Sequence, residues 1–333
     1  MLVWLCKLVV EVHSWRLAGG VGAGNSIYRL RGGGAMAEAP SREFDEEVKA
    51  FFAKHSYEEE VSEHFHTMEI PGLDMQEEIE NASVLCLSDM PLGDEGARGF
   101  GKALSAIKPE NAKDIWLTRT GIGDEGCAAV AKGVLSCPNL VKLVMMQNEI
   151  GDAGMAAVAT TCKTASFTEL VLSANRIGDA GIEAFAKSVD EGDSFKNLRK
   201  LYLDRNPIGD AGAVALAGVL HKLPDLEYIA LYKCNIGDKG LNAFTVAINK
   251  MGALSNAEYL WMYEQDPPCS EEAIAALKFA VKGKVKSYIS WPPPTPGFGY
   301  DWGKWGPQGR PLEEVEAIER NLLNPPKKSD KKK

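Results

Sequence analysis

Six aspartates stand at one recurrent corner of the sequence: Asp94, Asp124, Asp152, Asp179, Asp210 and Asp238 each follow a glycine, at intervals of 30, 28, 27, 31 and 28 residues. Carboxylates in such number invite acid–base or calcium chemistry. Each one opens a helical run, however, and aspartate beside the first-turn N–H groups is a preferred N-cap. Asp179 accordingly reads as the cap of its own helix, with Gly178 admitting backbone angles that a side chain would forbid. Other chemical spellings are missing. The sequence contains no G-x-x-x-x-G-K-[ST], G-x-S-x-G, H-E-x-x-H or paired-cysteine zinc pattern. His64 and His66 are two apart, which puts them on different faces of a helix with no third ligand in view. The run Gly19 to Gly34 lacks the Lys-Ser/Thr end of a phosphate cradle. The expectation is a non-enzymatic chain with no catalytic residue, no cofactor and no metal.

The 333 residues are 45% hydrophobic and 25% charged, the content of a soluble globular protein. A net charge of −9 and a pI near 5.3 argue against a nucleic-acid or anionic-membrane binder, either of which would want a basic footprint. Seven scattered cysteines with no C-x-x-C pair point to a reducing, intracellular compartment, with the cytoplasm expected. Residues 1–35 read as a disordered or targeting extension. Their apolar start is broken by Lys7 and Glu11 and is too short to span a bilayer. The alternatives are a start at Met36, which opens like a cytosolic protein, or an organelle address within residues 1–35.

The positioning elements are spelled four times over. Leu140-x-x-Leu143-x-Met145-x-x-Asn148-x-Ile150 is followed by the same pattern from Phe167 to Ile177, from Leu198 to Ile208 and from Leu226 to Ile236, the last with Cys234 in the asparagine slot. In Leu170-Val171-Leu172 the alternation sends both leucines to one face of a short strand. Asn175 sits where the chain leaves the strand, and stacked copies form a ladder of amides on turn backbone. Weaker copies start at Ala82, Ala112 and Ala257; the first two lack the asparagine, and the third carries Gln265 and stops at Pro267-Pro268. The pattern resembles the leucine-rich repeat. Its length resembles the ribonuclease-inhibitor-like subtype, as in the RanGAP proteins. That resemblance implies an α/β solenoid, a horseshoe with a parallel β-sheet on the concave face and α-helices on the convex face.

Residues 82–283 are assigned to this repeat domain. Residues 41–80 are expected to form a helical N-terminal cap covering the first repeat. Phe44, Val48, Phe51 and Phe52 lie on one helix face there, and Ser56 with Glu59 starts a second helix carrying Val61 and Phe65. Ser270 with Glu271 and Glu272 starts a last helix through Val281. Residues 284–333 form a Pro/Trp-rich extension running from Trp291 to Pro307, then a short helix near Leu312 to Leu323 and a basic tail.

Residues that the repeat leaves unspecified face the open side of the sheet, and aromatics crowd the last units. Trp116, Tyr202, Asp204, Tyr228, Tyr232, Tyr259, Trp261 and Tyr263 are the candidate contacts for a protein partner, because Tyr and Trp combine apolar area with a polar tip. Arg119 and Arg205 stand on the rim with Gln147, Ala174, Lys233 and Glu264. The main reading is a scaffold or adaptor. The alternatives are a GTPase regulator of RanGAP type using Arg119 and Arg205, an actin-capping protein of tropomodulin type by fold analogy, and a structural subunit of a larger complex. Residues 291–306 fit the same face as a self-ligand, and Pro292 to Pro296 also fit an SH3- or WW-type partner.

Overall fold

A computed structural model describes residues 44–56, 60–61, 69–70, 74–162, 165, 167–192 and 194–282. Residues 1–35, His64, His66 and everything expected of residues 284–333 lie outside this described set.

Seven three-residue strands follow one another in chain order as one parallel sheet: β3 (Val84–Cys86), β4 (Asp114–Trp116), β5 (Lys142–Val144), β6 (Glu169–Val171), β7 (Lys200–Tyr202), β8 (Tyr228–Ala230) and β9 (Tyr259–Trp261). Their register aligns Leu85, Ile115, Leu143, Leu170, Leu201, Ile229 and Leu260 in a column of pattern leucines, all fully buried. Between consecutive strands lies one helix: α3 (Gly93–Ile107), α4 (Asp124–Gly133), α5 (Asp152–Thr161), α6 (Asp179–Asp190), α7 (Asp210–Val219) and α8 (Asp238–Lys250), with α9 (Glu271–Val281) closing the array. In α3 the buried Ala97, Phe100, Leu104 and Ile107 fall on one helical face and meet the strand leucines in a single core. A core that runs through every repeat is what lets units too small to fold alone stabilise one another.

Asparagines tie the coils together as the pattern predicts. Asn175 Nδ2 donates to Met145 O of the preceding repeat and to Leu172 O of its own, while its Oδ1 accepts from Ile150 N. Asn206 repeats this arrangement, and Asn148 does so with Met146 O as the acceptor in its own repeat. Gln265 supplies the rung in the last unit: Nε2 donates to Leu231 O at 2.7 Å and Oε1 accepts from Ile236 N at 3.2 Å. A longer amide does the same work from the same slot.

The aspartates are structural, but they cap a different helix from the one expected. Gly178 occupies the N-cap of α6 with no side-chain cap of its own. Asp152, one repeat earlier, accepts from Gly178 N at 2.6 Å and from Gly181 N at 2.9 Å. Asp94, Asp124, Asp179 and Asp210 each serve the two glycines of the following repeat in this way. Each carboxylate therefore satisfies two first-turn N–H groups of its neighbour and adds a charge of the favoured sign at that helix N-terminus. The glycine also has a different reason from the one inferred: Gly178 has φ −104° and ψ −162°, and needs no left-handed freedom. A Cβ there would meet Asp152 no closer than 3.4 Å; space is what is required at the second glycine, because a Cβ on Gly181 would stand 2.8 Å from Asp152 Oδ1 and 3.1 Å from Asp152 Cα.

The N-terminal flank carries α1 (Glu46–His55) and α2 (Met75–Asn81). Asp45 caps α1 by accepting from Val48 N, and Phe51 packs on Phe100 of α3 with ring centroids 6.0 Å apart. Lys102 of α3 pairs with Asp45 and Glu47. The second helix expected from Ser56 is corrected. Glu60–Val61 (β1) and Glu69–Ile70 (β2) pair as antiparallel strands, and Ser56 Oγ instead accepts from Met75 N at 3.0 Å. At the other end Ser270 caps α9, its Oγ accepting from Ala273 N.

Candidate functional site

Helices cover one face of the seven-stranded sheet, and the opposite face carries two small clusters separate from the main core. Three rows of side chains run across it. The first is Asp114, Lys142, Glu169, Lys200, Tyr228 and Tyr259, in register from β4 to β9. Glu169 bridges both lysines, at 2.7 Å from Lys142 Nζ and 3.3 Å from Lys200 Nζ. Burial pushes the Asp114 carboxyl above its ordinary pKa, with Lys142 pulling against it. Lys142 also lies 4.7 Å over the Trp116 ring and Lys200 5.2 Å over Tyr228, so each cation is shared between a carboxylate and a π face. Tyr228 stacks on Tyr259 at 4.7 Å and donates its hydroxyl proton to Glu258.

In the second row Cys86, Trp116, Val144, Val171, Tyr202, Ala230 and Trp261 are in register. Val144, Val171 and Ala230 form a floor at 0% exposure, walled by half-buried Trp116, Tyr202 and Trp261. The third row lies just past the strands, where Tyr232 stacks on Tyr263 at 5.1 Å and Arg205 lies 5.5 Å over the Tyr232 ring. Ser173 Oγ donates to Asp204 Oδ1 at 2.6 Å. Burial raises the Asp204 pKa, and its hydrogen bonds from Ser173 and Tyr232 hold the rise back.

The rim adds an unexpected regularity. Asp89, Arg119, Gln147, Ala174, Arg205, Lys233 and Glu264, one per repeat, all take left-handed backbone with φ between 52° and 67°. Such a conformation costs a non-glycine residue roughly 1–2 kcal/mol. Its return is that the N–H of each of the first six continues the ladder onto the next repeat, as Arg205 N donates to Tyr232 O.

Among the expected contact residues, Trp116, Tyr202, Tyr228, Tyr259 and Trp261 share this face half-buried. Asp204 and Tyr232 at 1% and Tyr263 at 7% are buried, so they support the surface and do not stand out from it. Arg119 is held by Asp89, which accepts from both Nε and Nη2, and by Gln147. Lys142, Lys200 and Glu169 fix the first row, an ion lattice legible from the strand register once the partners are known. Among the described residues, three donors on or beside this face are buried without a partner in hydrogen-bond geometry: Trp116 Nε1, Arg205 Nε and Tyr263 OH. Trp116 draws the Asp114 pKa down without reaching hydrogen-bond geometry.

Among the described residues no group of His, Cys, Asp or Glu stands where it could hold a metal ion, and no helix is long and apolar enough to cross a membrane. The six described cysteines carry free thiols. One strand and one helix per coil, stitched by amide and carboxylate ladders, define an α/β repeat solenoid. Three of its coils, residues 136–159, 165–186 and 196–217, match the leucine-rich repeat family model. Repeats of this family commonly mediate protein–protein interaction. No curated protein matches the chain.

Proposed function

We propose that the chain is a non-enzymatic, intracellular scaffold that grips a protein partner, not a nucleic acid, on the helix-free face of its sheet. The observation that carries this reading is the band of half-buried aromatics Trp116, Tyr202, Tyr228, Tyr259 and Trp261, all but Tyr202 braced by cations or ring contacts so that their faces are pre-set. Pre-ordered aromatic side chains lose little entropy on binding and dominate interface energetics. We further assign the ribonuclease-inhibitor-like horseshoe subtype, supported by a helix of 10–15 residues in each full repeat. Free thiols at Cys127, Cys162 and Cys234 agree with a reducing compartment. The GTPase-regulator alternative draws no support from Arg119, which is chelated by Asp89, or from Arg205, which is folded over Tyr232.

Affinity purification from the native source, with partners identified by mass spectrometry, tests the reading. Tyr228→Ala with Trp261→Ala is expected to lower partner recovery at least tenfold while leaving helical circular dichroism unchanged, since losing a central aromatic typically costs 2 kcal/mol or more. Undiminished recovery would reject it.

A further inference from the structure

The floor of the aromatic face poses a problem in two parts. Val144, Val171 and Ala230 are fully excluded from solvent, yet the apolar partners they have among the described residues all belong to the same face. In addition, the three unpartnered groups Trp116 Nε1, Arg205 Nε and Tyr263 OH are hydrogen-bond donors. A buried donor with nothing to donate to is costly, so a complementary occupant must bring acceptors and apolar bulk without N–H groups of its own. Proline-rich peptide has that chemistry: its carbonyls point outward, its rings pack on aromatics, and proline has no N–H.

We propose that this face is a groove for a polyproline-type peptide, and that the occupant is the chain's own segment Trp291-Pro292-Pro293-Pro294-Thr295-Pro296. The proposal rests on the scaffold reading of the same face and names what first fills it. Four of these six residues are proline, so only Trp291 and Thr295 bring a backbone N–H. The spacing also fits. Arg205 and Tyr263 stand just past β7 and β9, strands two intervals or roughly 9.6 Å apart, and one polyproline turn of three residues advances about 9.3 Å. Carbonyls three residues apart match that interval. The tether is long enough: eight residues lie between Lys282, just past α9, and Trp291, a reach of about 30 Å, and the helix layer to be rounded is only about 10–12 Å across. Trp116 lies further along the face toward β3. A tethered ligand of this kind raises its own local concentration, so a foreign partner must displace it.

The test is calorimetric titration of a synthetic peptide of residues 291–306 into two full-length chains. One is the natural sequence; the other carries Pro292→Ser, Pro293→Ser and Pro294→Ser, changes outside the solenoid whose neutrality for folding is checked by thermal melting. The substituted chain is expected to bind the peptide at least tenfold more tightly, because its internal competitor is gone. Adding Tyr263→Phe to it, which keeps the ring and removes the orphan hydroxyl, weakens binding about three- to tenfold. Equal affinity for both chains overturns the proposal, and so does no binding to the substituted chain. Either failure leaves the partner-capture result for Tyr228→Ala with Trp261→Ala standing by itself, so the two ideas fail separately.

Discussion

Asp204 is held at 1% exposure beneath the Tyr232 and Tyr263 pair, an expensive place for a charge. Burial raises its pKa above 3.8, with the Ser173 hydroxyl its closest compensation. In the window between 3.8 and the folded value the native chain keeps a proton that the unfolded chain has released. Stability therefore falls as pH rises across that window and stays lowered above it. Asp204→Asn keeps an acceptor for Ser173 and removes the buried charge. Urea unfolding at pH 7 is expected to show the variant about 1 kcal/mol more stable, with the advantage shrinking as pH falls toward 3.8. A variant less stable at pH 7 would mean that the ionised carboxylate is needed, with Arg205 the cation to examine. The sequence placed Asp204 correctly on this face but not its depth, because a strand pattern states which way a side chain points and not how tall its neighbours stand.

The Gly-Asp-x-Gly corner separates what spelling reveals from what it hides. That the aspartate is structural was readable, since every copy opens a helix. Which helix it serves was not, because a carboxylate capping its own helix and one capping the next give the same string when the repeat is regular. The structure places Asp152 on Gly178 and Gly181, and makes the second glycine a matter of room and not of backbone angle. Asn175 and its counterparts were legible because an amide at a strand exit has few other uses. Gln265 fills the same slot with one methylene more. Gly181→Ala drives a Cβ to 2.8 Å from Asp152 Oδ1 and is expected to cost about 1–3 kcal/mol in chemical unfolding. Gly218→Ala in α7 meets nothing within 4 Å and is expected to stabilise by about 0.5–1 kcal/mol. Equal effects at the two glycines would show that helix propensity, and not the inter-repeat cap, governs the corner.

Across the whole molecule each coil touches chiefly its neighbours, so stability is a sum of local units and nearest-neighbour interfaces, and the ends are where it frays. Helix α1 protects one end. Phe51 reaches 2.7 Å from where a Cβ on Gly99 would stand, and with Val48 it joins the core shared by Phe100 and Leu104. The amphipathic face of this helix was plain in the sequence, whereas β1 and β2 were not, since two-residue strands carry no periodicity to read. Phe51→Ala removes an aromatic that closes the first repeat, a change that costs about 3–5 kcal/mol in a well-packed core. In a globular domain that loss would be felt everywhere at once. In a stack it falls on the nearest coil: hydrogen exchange should show lost protection over 84–107, a smaller loss over 114–133, and none in β7, β8 and β9, which Asn206 and Gln265 tie to their neighbours far from the lesion. Uniform loss of protection across all seven strands would contradict this, and would mean that the carboxylate and amide ladders couple the coils strongly enough for the solenoid to open as one unit.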